Sequence, residues 1–347
     1  MFNAHPDVEV VGVCDTSNYV LDVLGKYTDT RTYAKFVDML DAVTPDAVVI
    51  ATPSSSHGPF IRAALERNIH VFAEKPLTLD PLEATDTAAA ARARGLVTQV
   101  GYHNRFVATF REVKTLLNQH AIGKVTHAVA EAYGPVVLTP QGATWRSRRR
   151  EGGGCLYDYA AHALNLVTWY LGQPHSVGGA ALTRINSREV DDQVCATLYF
   201  AGGTTAQLSA NWSDDSYRKM TTRVTLWGTH GRIYADRTDC HVYLREAAPP
   251  VRGYHAGWNV RYVTDLVSSP GFYLRGEEYS EQVDAFVRRV SEGELDGMNC
   301  FDSAAATDGV IALILAAAEN TLAPATAAAR TRSNSPWRWL RNRRQPH

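Results

Sequence analysis

Short apolar runs with the alternation of extended chain trade places with segments of helical periodicity through the first hundred residues. Residues 8–14, 47–51, 69–73 and 97–100 read as strands, and residues 35–40 and 58–67 read as helices between them. Asp80-Pro81-Leu82-Glu83 predicts a helix start: Asp80 as N-cap, Pro81 as first helical residue, Glu83 as reciprocal cap, and an Ala-rich helix running to Arg94. Strands and helices in turn predict right-handed crossovers and a parallel sheet. From about Ile122 the rhythm changes. Residues 124–131, 177–184, 192–200, 205–212, 219–227, 231–235 and 240–244 are successive strand patterns, which predicts an open, mainly antiparallel sheet. Helices are expected at 156–171, 278–291 and 304–320.

A chain of 347 residues, 45% hydrophobic and 20% charged, has enough apolar material for two cores. Its formal net charge of -1 provides no overall pull toward nucleic acid or anionic lipid. Cys14, Cys155, Cys195, Cys240 and Cys300 are scattered without a CxxC pair. Neither a disulfide framework nor a metal site is therefore expected, and a reducing cytoplasm fits best. The start lacks the basic and apolar regions of a signal peptide, and no apolar stretch is read as approaching the roughly 20 residues that span a bilayer. Residues 326–347 carry six arginines and no acid, a pattern that suits a solvated disordered tail or a partner contact through Trp337 and Trp339.

Reactive groups then sharpen the picture. Glu74-Lys75-Pro76 ends the strand at 69–73, and Asp158 and His162 lie four residues apart in a helix entered through Gly152-Gly153-Gly154. A lysine at a strand end with a carboxylate and an imidazole on one helical face can handle protons. The plainer readings are a lysine capping a strand and a surface Asp/His pair. Lysine with an ordinary pKa near 10.4 is a poor base at neutral pH, whereas imidazole titrates near 6.5. Which of Lys75 and His162 is the formal base stays open. Thr52 and Pro53 end the strand at 47–51, where α/β sheets gather ligands. Asp15 ends the strand at 8–14; alone it reads as a turn former.

Several ordered motifs carry a resemblance: Thr52-Pro53 with Ser54 and His57, Ala64 to Val71, Glu74-Lys75-Pro76, Gly101-Tyr102-His103-Asn104-Arg105-Phe106, Trp145-Arg146, Gly152 to His162, and Trp227-Gly228-Thr229-His230-Gly231. Together, from about residue 5 to residue 322, they resemble the Gfo/Idh/MocA family. The resemblance implies an NAD(P)-dependent oxidoreductase acting on a sugar, sugar nucleotide or cyclitol. It also implies a Rossmann-type domain at 1–104 and a substrate-binding and oligomerisation domain at 105–325, with a late helix packing back on the first domain and a basic tail at 326–347. A homodimer or homotetramer through the open sheet is expected, with no nucleic-acid partner. Catalysis falls to Lys75, His162 and Asp158. Cofactor contacts fall to Asp15, Thr52, Pro53, Ser54, His57, Glu74 and Lys75. Tyr102, Arg105, Trp145 and Arg146 are on the substrate side, since arginine binds carboxylate or phosphate bidentately and aromatics cover sugar faces. Packing is the equal alternative for Trp145, and a solvated face is the alternative for Arg146 to Arg150.

The sequence departs from that family at Asn68, Ala160 and Asn165, and it contains no GxGxxG. Asp15 should follow such a loop by about 20 residues and accept from the adenosine ribose hydroxyls. The first strand, its glycine turn and its helix thus have no counterpart here. A late start or a truncated chain is the expectation, with natural loss as the competing account. NAD is expected over NADP because Asp15 would repel a 2′-phosphate. Two alternatives complete the reading: an NAD-dependent glycosidase with no net redox change, and a cofactor-free ligand-binding or oligomer-partner protein.

Overall fold

The alternating first hundred residues form parallel strands joined by helices, and in the computed structural model these strands make two separate sheets. Residues 2–138, 144–267 and 277–322 are described, so the basic stretch 326–347 lies outside them. β1 (Gly12–Cys14) leads through α1 (Asn18–Tyr27) to its parallel partner β2 (Arg31–Tyr33). α2 (Phe36–Val43) then leads to β3 (Ala47–Ile50), α3 (His57–Leu65), β4 (His70–Ala73), α4 (Pro81–Ala93) and β5 (Thr98–Val100), and these three strands pair in parallel in the order β3-β4-β5. Among the described residues no strand pairs with both β1 and β3, the place that the order 3-2-1-4 gives to its first strand. Val49 of β3 is correspondingly 44% exposed. Phe36 of α2 meets Phe60 of α3, ring centroids 4.6 Å apart, and links the two groups.

Local signals explain the starts of these helices. Asp80 accepts from the Leu82 N–H at 2.9 Å and Pro81 opens α4, as the sequence predicts. Glu83 does not cap; its carboxylate bonds Arg62 of α3 at 2.5 Å. The strand expected at 8–14 shrinks to β1, while α1 and β2 were not foreseen because a three-residue polar strand carries no usable period.

The second half forms one eight-stranded sheet in the order β13-β12-β11-β10-β6-β9-β8-β7. Its strands are β6 (Val125–Tyr133), β7 (Ser176–Thr183), β8 (Gln193–Tyr199), β9 (Thr205–Asn211), β10 (Thr221–Gly228), β11 (Gly231–Ala235), β12 (Asp239–Leu244) and β13 (Gly257–Tyr262). Pairing is antiparallel except between β6 and β9, which run parallel. That contact joins strands separated by a helix and a hairpin, and a long crossover permits parallel pairing. One face is apolar at every second residue, with Ala128, Ala130, Ala132, Val224, Leu226, Leu208 and Leu198 buried. α5 (Ala108–Asn118) and α6 (Ala161–Leu171) lie on it.

After β13 come α7 (Val263–Leu266), α8 (Glu277–Glu292) and α9 (Phe301–Leu322). α9 packs on α4, α6 and β7, so it bridges the parallel strands' helices and the large sheet. One expectation needs correction: by length and composition, Phe301–Asn320 is long and apolar enough to cross a bilayer. Ala304, Val310, Ile311, Ile314 and Ala318 are buried against the neighbouring elements, and that packing accounts for the helix's apolar character.

Candidate active site

The carboxyl ends of β3 and β4 carry the first half of the site. Thr52 and Pro53 leave β3 exposed, and Thr52 Oγ1 accepts from Ser56 at 2.7 Å. Lys75 leaves β4, with Glu74 Oε2 accepting from its backbone N–H at 3.3 Å. The Glu74 carboxylate lies against Gly101, where an added Cβ would come within 2.8 Å of Oε2. His57 sits wholly buried beneath this turn. Its Nδ1 faces the Pro76 and Leu77 carbonyls at 2.9 and 3.2 Å, and its Nε2 faces the Thr52 carbonyl at 3.0 Å. The ring is therefore wedged between the end of β3 and the turn after β4, with both nitrogens facing backbone carbonyls and none turned to a ligand.

The second half arrives through the triple-glycine turn. A Cβ at Gly153 would lie 2.2 Å from the Arg146 carbonyl, and Gly154 at φ +116 would press on Asp191. Only glycine lets the chain approach this closely. Asp191 accepts from the Leu156 N–H at 2.7 Å and orients the helix start. Burial raises its pKa, with that N–H opposing. Residues Leu156–Ala160 then form a π-helical turn before α6.

This wider turn changes the chemistry expected of Asp158. Lys75 Nζ donates to Asp158 Oδ1 at 2.5 Å and to its carbonyl at 2.9 Å, while Arg146 Nε donates to Oδ2 at 2.9 Å. Lys75 and Asp158 side chains are 11% and 8% exposed. Burial alone would raise the Asp158 pKa; the Lys75 and Arg146 charges outweigh it and hold the carboxyl below its ordinary range. Among the described residues no hydrogen bond or ion pair joins Asp158 to His162, the pair that α-helical spacing suggested. The Arg146 guanidinium also lies 4.8 Å over the Trp145 ring.

His162 is buried with Nδ1 unpartnered. Its ring stands 4.8 Å from His103 and edge-on to Tyr102 at 5.9 Å, and His103 lies 4.9 Å from Tyr279. Burial pushes the His162 pKa well below its usual value, and the charges of Lys75 and His103 act the same way. His162 is thus a neutral imidazole beside the Lys75–Asp158 pair.

The remaining candidates divide. Ser54 is buried against Gly152, near the turn. Tyr102 is buried and its hydroxyl has no partner. Arg105 points to the rear, donating to Ser303 Oγ at 2.6 Å and the Asn165 carbonyl at 2.9 Å and lying 5.4 Å over Trp169. Burial lowers its pKa to about 10. Asp15 ends β1, apart from the lysine, and accepts from the Ser17 N–H at 2.7 Å. Sequence reasoning missed His103, Asp191 and Asp308. His103 lies inside the quoted Gly101-to-Phe106 motif, but a single histidine carries no spacing signal.

The residues fit a nicotinamide dinucleotide at two places. Asp15 sits at the end of β1, where a ribose hydroxyl acceptor belongs, and Thr52, Pro53 and Lys75 stand at the ends of β3 and β4 beside the unpartnered His162 nitrogen. Parallel strands bearing such groups at their carboxyl ends, joined to a large mixed sheet, define a dinucleotide-dependent oxidoreductase. The family model described as an oxidoreductase family with NAD-binding Rossmann fold matches residues 1–102, and that of the GFO/IDH/MocA C-terminal domain matches residues 110–234. The chain belongs to the Gfo/Idh/MocA family. It is 32% identical over 234 residues to dTDP-3,4-didehydro-2,6-dideoxy-alpha-D-glucose 3-reductase of Streptomyces antibioticus, covering 67% of this chain and 69% of that protein. It is 27% identical over 214 residues to D-glucoside 3-dehydrogenase of Escherichia coli (strain K12), covering 57% and 61%. In fold it matches levoglucosan dehydrogenase in complex with NADH and levoglucosan, with TM-score 0.77, 19% identity, and 90% and 88% of the two chains covered.

Proposed function

We propose that this chain transfers hydride between a nicotinamide cofactor and the hydroxyl or keto carbon of a sugar, sugar nucleotide or cyclitol. The observation that carries this reading is the Lys75–Asp158 ion pair beside a neutral His162 whose Nδ1 is unpartnered. Two relatives named for reduction or oxidation at a sugar 3-position support the substrate class.

When bound, the nicotinamide supplies the hydride acceptor or donor. The protein's own groups manage the proton. Lys75 Nζ, aimed by Asp158 Oδ1 and the Asp158 carbonyl, donates to the reacting oxygen; neutral His162 takes the hydroxyl proton in oxidation, and the imidazolium so formed gives it back in reduction. Arg146 occupies the outer carboxylate oxygen of Asp158 and so limits that carboxylate's freedom to turn. Trp145 and Arg146 stand on the substrate side. Tyr102 packs edge-on against the His162 ring. Asp15, Thr52, Pro53, Ser54 and Glu74 hold the cofactor, and His57 acts by fixing the two strand ends together. Five free cysteines support a reducing, cytoplasmic setting.

The test is incubation of the purified protein with NAD or NADP and a panel of sugars, cyclitols and nucleotide sugars, following reduced cofactor. Lys75→Ala and His162→Ala should each lower turnover by about 10²–10⁴ with the fold intact. Near-normal turnover in both variants on the true substrate would remove these residues from the chemistry.

A further inference from the structure

Asp308 on α9 reaches across to the turn that follows Lys75. Its Oδ2 accepts from the Thr78 N–H at 2.9 Å, three residues beyond the lysine. The residue is 3% exposed, its Oδ1 has no partner, and no ion pair involves it among the described residues. Burial raises its pKa well above the carboxylate range, with the Thr78 and Leu77 N–H groups opposing. Held neutral, a carboxyl can accept a backbone N–H in the core without the penalty of an unpaired charge. His57 grips the same turn from the opposite side through the Pro76 and Leu77 carbonyls. Residues 76–78 are therefore held by a ring on their carbonyls and a carboxyl on their N–H side. Tyr102, buried with its hydroxyl unpartnered, stands with its ring edge-on to His162.

The geometry points to Asp308 as a positioning residue that fixes Lys75 by clamping the turn behind it to the last helix. Asp308 touches neither substrate nor cofactor; it acts through the Leu77–Thr78 backbone. Asparagine preserves a neutral acceptor of the same shape, whereas leucine fills the space without one.

Two measurements on the full chain test this, and only the kinetic one rests on the oxidoreductase reading. The first is mass-spectrometric labelling of Lys75 by reductive methylation, with Lys114 as internal control. Asp308→Leu should raise Lys75 labelling several-fold and leave Lys114 unchanged, while Asp308→Asn should label like the wild type. The second is turnover: Asp308→Leu should lose about 10²-fold in kcat with KM little changed, the scale of a misplacement near 1 Å, and Asp308→Asn should restore it. If Asp308→Leu does not fold, Asp308→Ala takes its place with the same expected rise in Lys75 labelling, and wild-type labelling in it overturns the proposal. Raised Lys75 labelling in Asp308→Asn, or wild-type labelling in Asp308→Leu, overturns the proposal. Labelling that follows expectation in a protein with no activity on any sugar would instead defeat the functional reading and leave the clamp standing.

Discussion

Lys75 and Asp158 meet because each closes the other's electrostatic deficit. A carboxylate 8% exposed needs cations, and Lys75 and Arg146 supply one to each oxygen. His162 is left without an acid partner and stays neutral, which leaves its Nδ1 unpartnered beside the ion pair. The residue types at these positions were legible from sequence, but their pairing was not, because the i,i+4 argument assumes α-helical pitch and Asp158 sits in a π turn. Asp15 carries a separate expectation. With one oxygen fixed by the Ser17 N–H, it stands at the end of β1 where it would repel a 2′-phosphate. The specificity constant should favour NAD, and Asp15→Ser should shift the NAD-to-NADP ratio toward NADP by about tenfold. An unchanged ratio in that variant would take Asp15 out of cofactor selection.

Between elements, the imidazole rings act as contact points. The 103–106 turn, α6 and α8 meet through His103, His162 and Tyr279. Burial lowers the His103 pKa to about 3, reinforced by Arg237 and Lys75, and His162 is lowered by burial, Lys75 and His103. In the unfolded chain both rings titrate near 6.5. Below that pH the unfolded state binds protons that the folded state refuses, so these groups lower stability as pH falls from 6.5 toward 3. The slope should be on the order of 1 kcal/mol per pH unit for each ring. Urea unfolding at pH 7, 6 and 5 should show this decline, and His103→Phe should make it shallower. An equal slope in the variant would mean that other groups govern acid sensitivity. Helix starts were easier to read: the Asp80 cap follows from adjacent residues alone, while the partner of Glu83 is on another helix.

At the scale of the whole molecule, the apolar face of the large sheet is covered by α5 and α6, and the other face is aromatic and open. Tyr243, Trp258 and Tyr262 are 39%, 55% and 57% exposed on neighbouring strands β12 and β13. We propose that copies of this chain associate through that face. Sedimentation should find a dimer or tetramer, and Trp258→Glu with Tyr262→Glu should dissociate it; a wild-type monomer at high concentration would contradict the assignment. The split of the parallel strands into β1-β2 and β3-β4-β5 was foreseeable from the absent glycine loop and the strand order. Local periodicity likewise announced most strands, the Lys75 strand end and the glycine-led helix, because burial of one face imposes a period on neighbouring residues. Other features depended on contacts between distant residues. β6 pairs with β9 in parallel across a long connection, Arg105 turns to α6 and α9 rather than to the cleft, and Lys75 finds Asp158 from 83 residues away. Periodicity states which side of a segment is buried; which charges share one low-dielectric pocket is decided only when the chain closes around them.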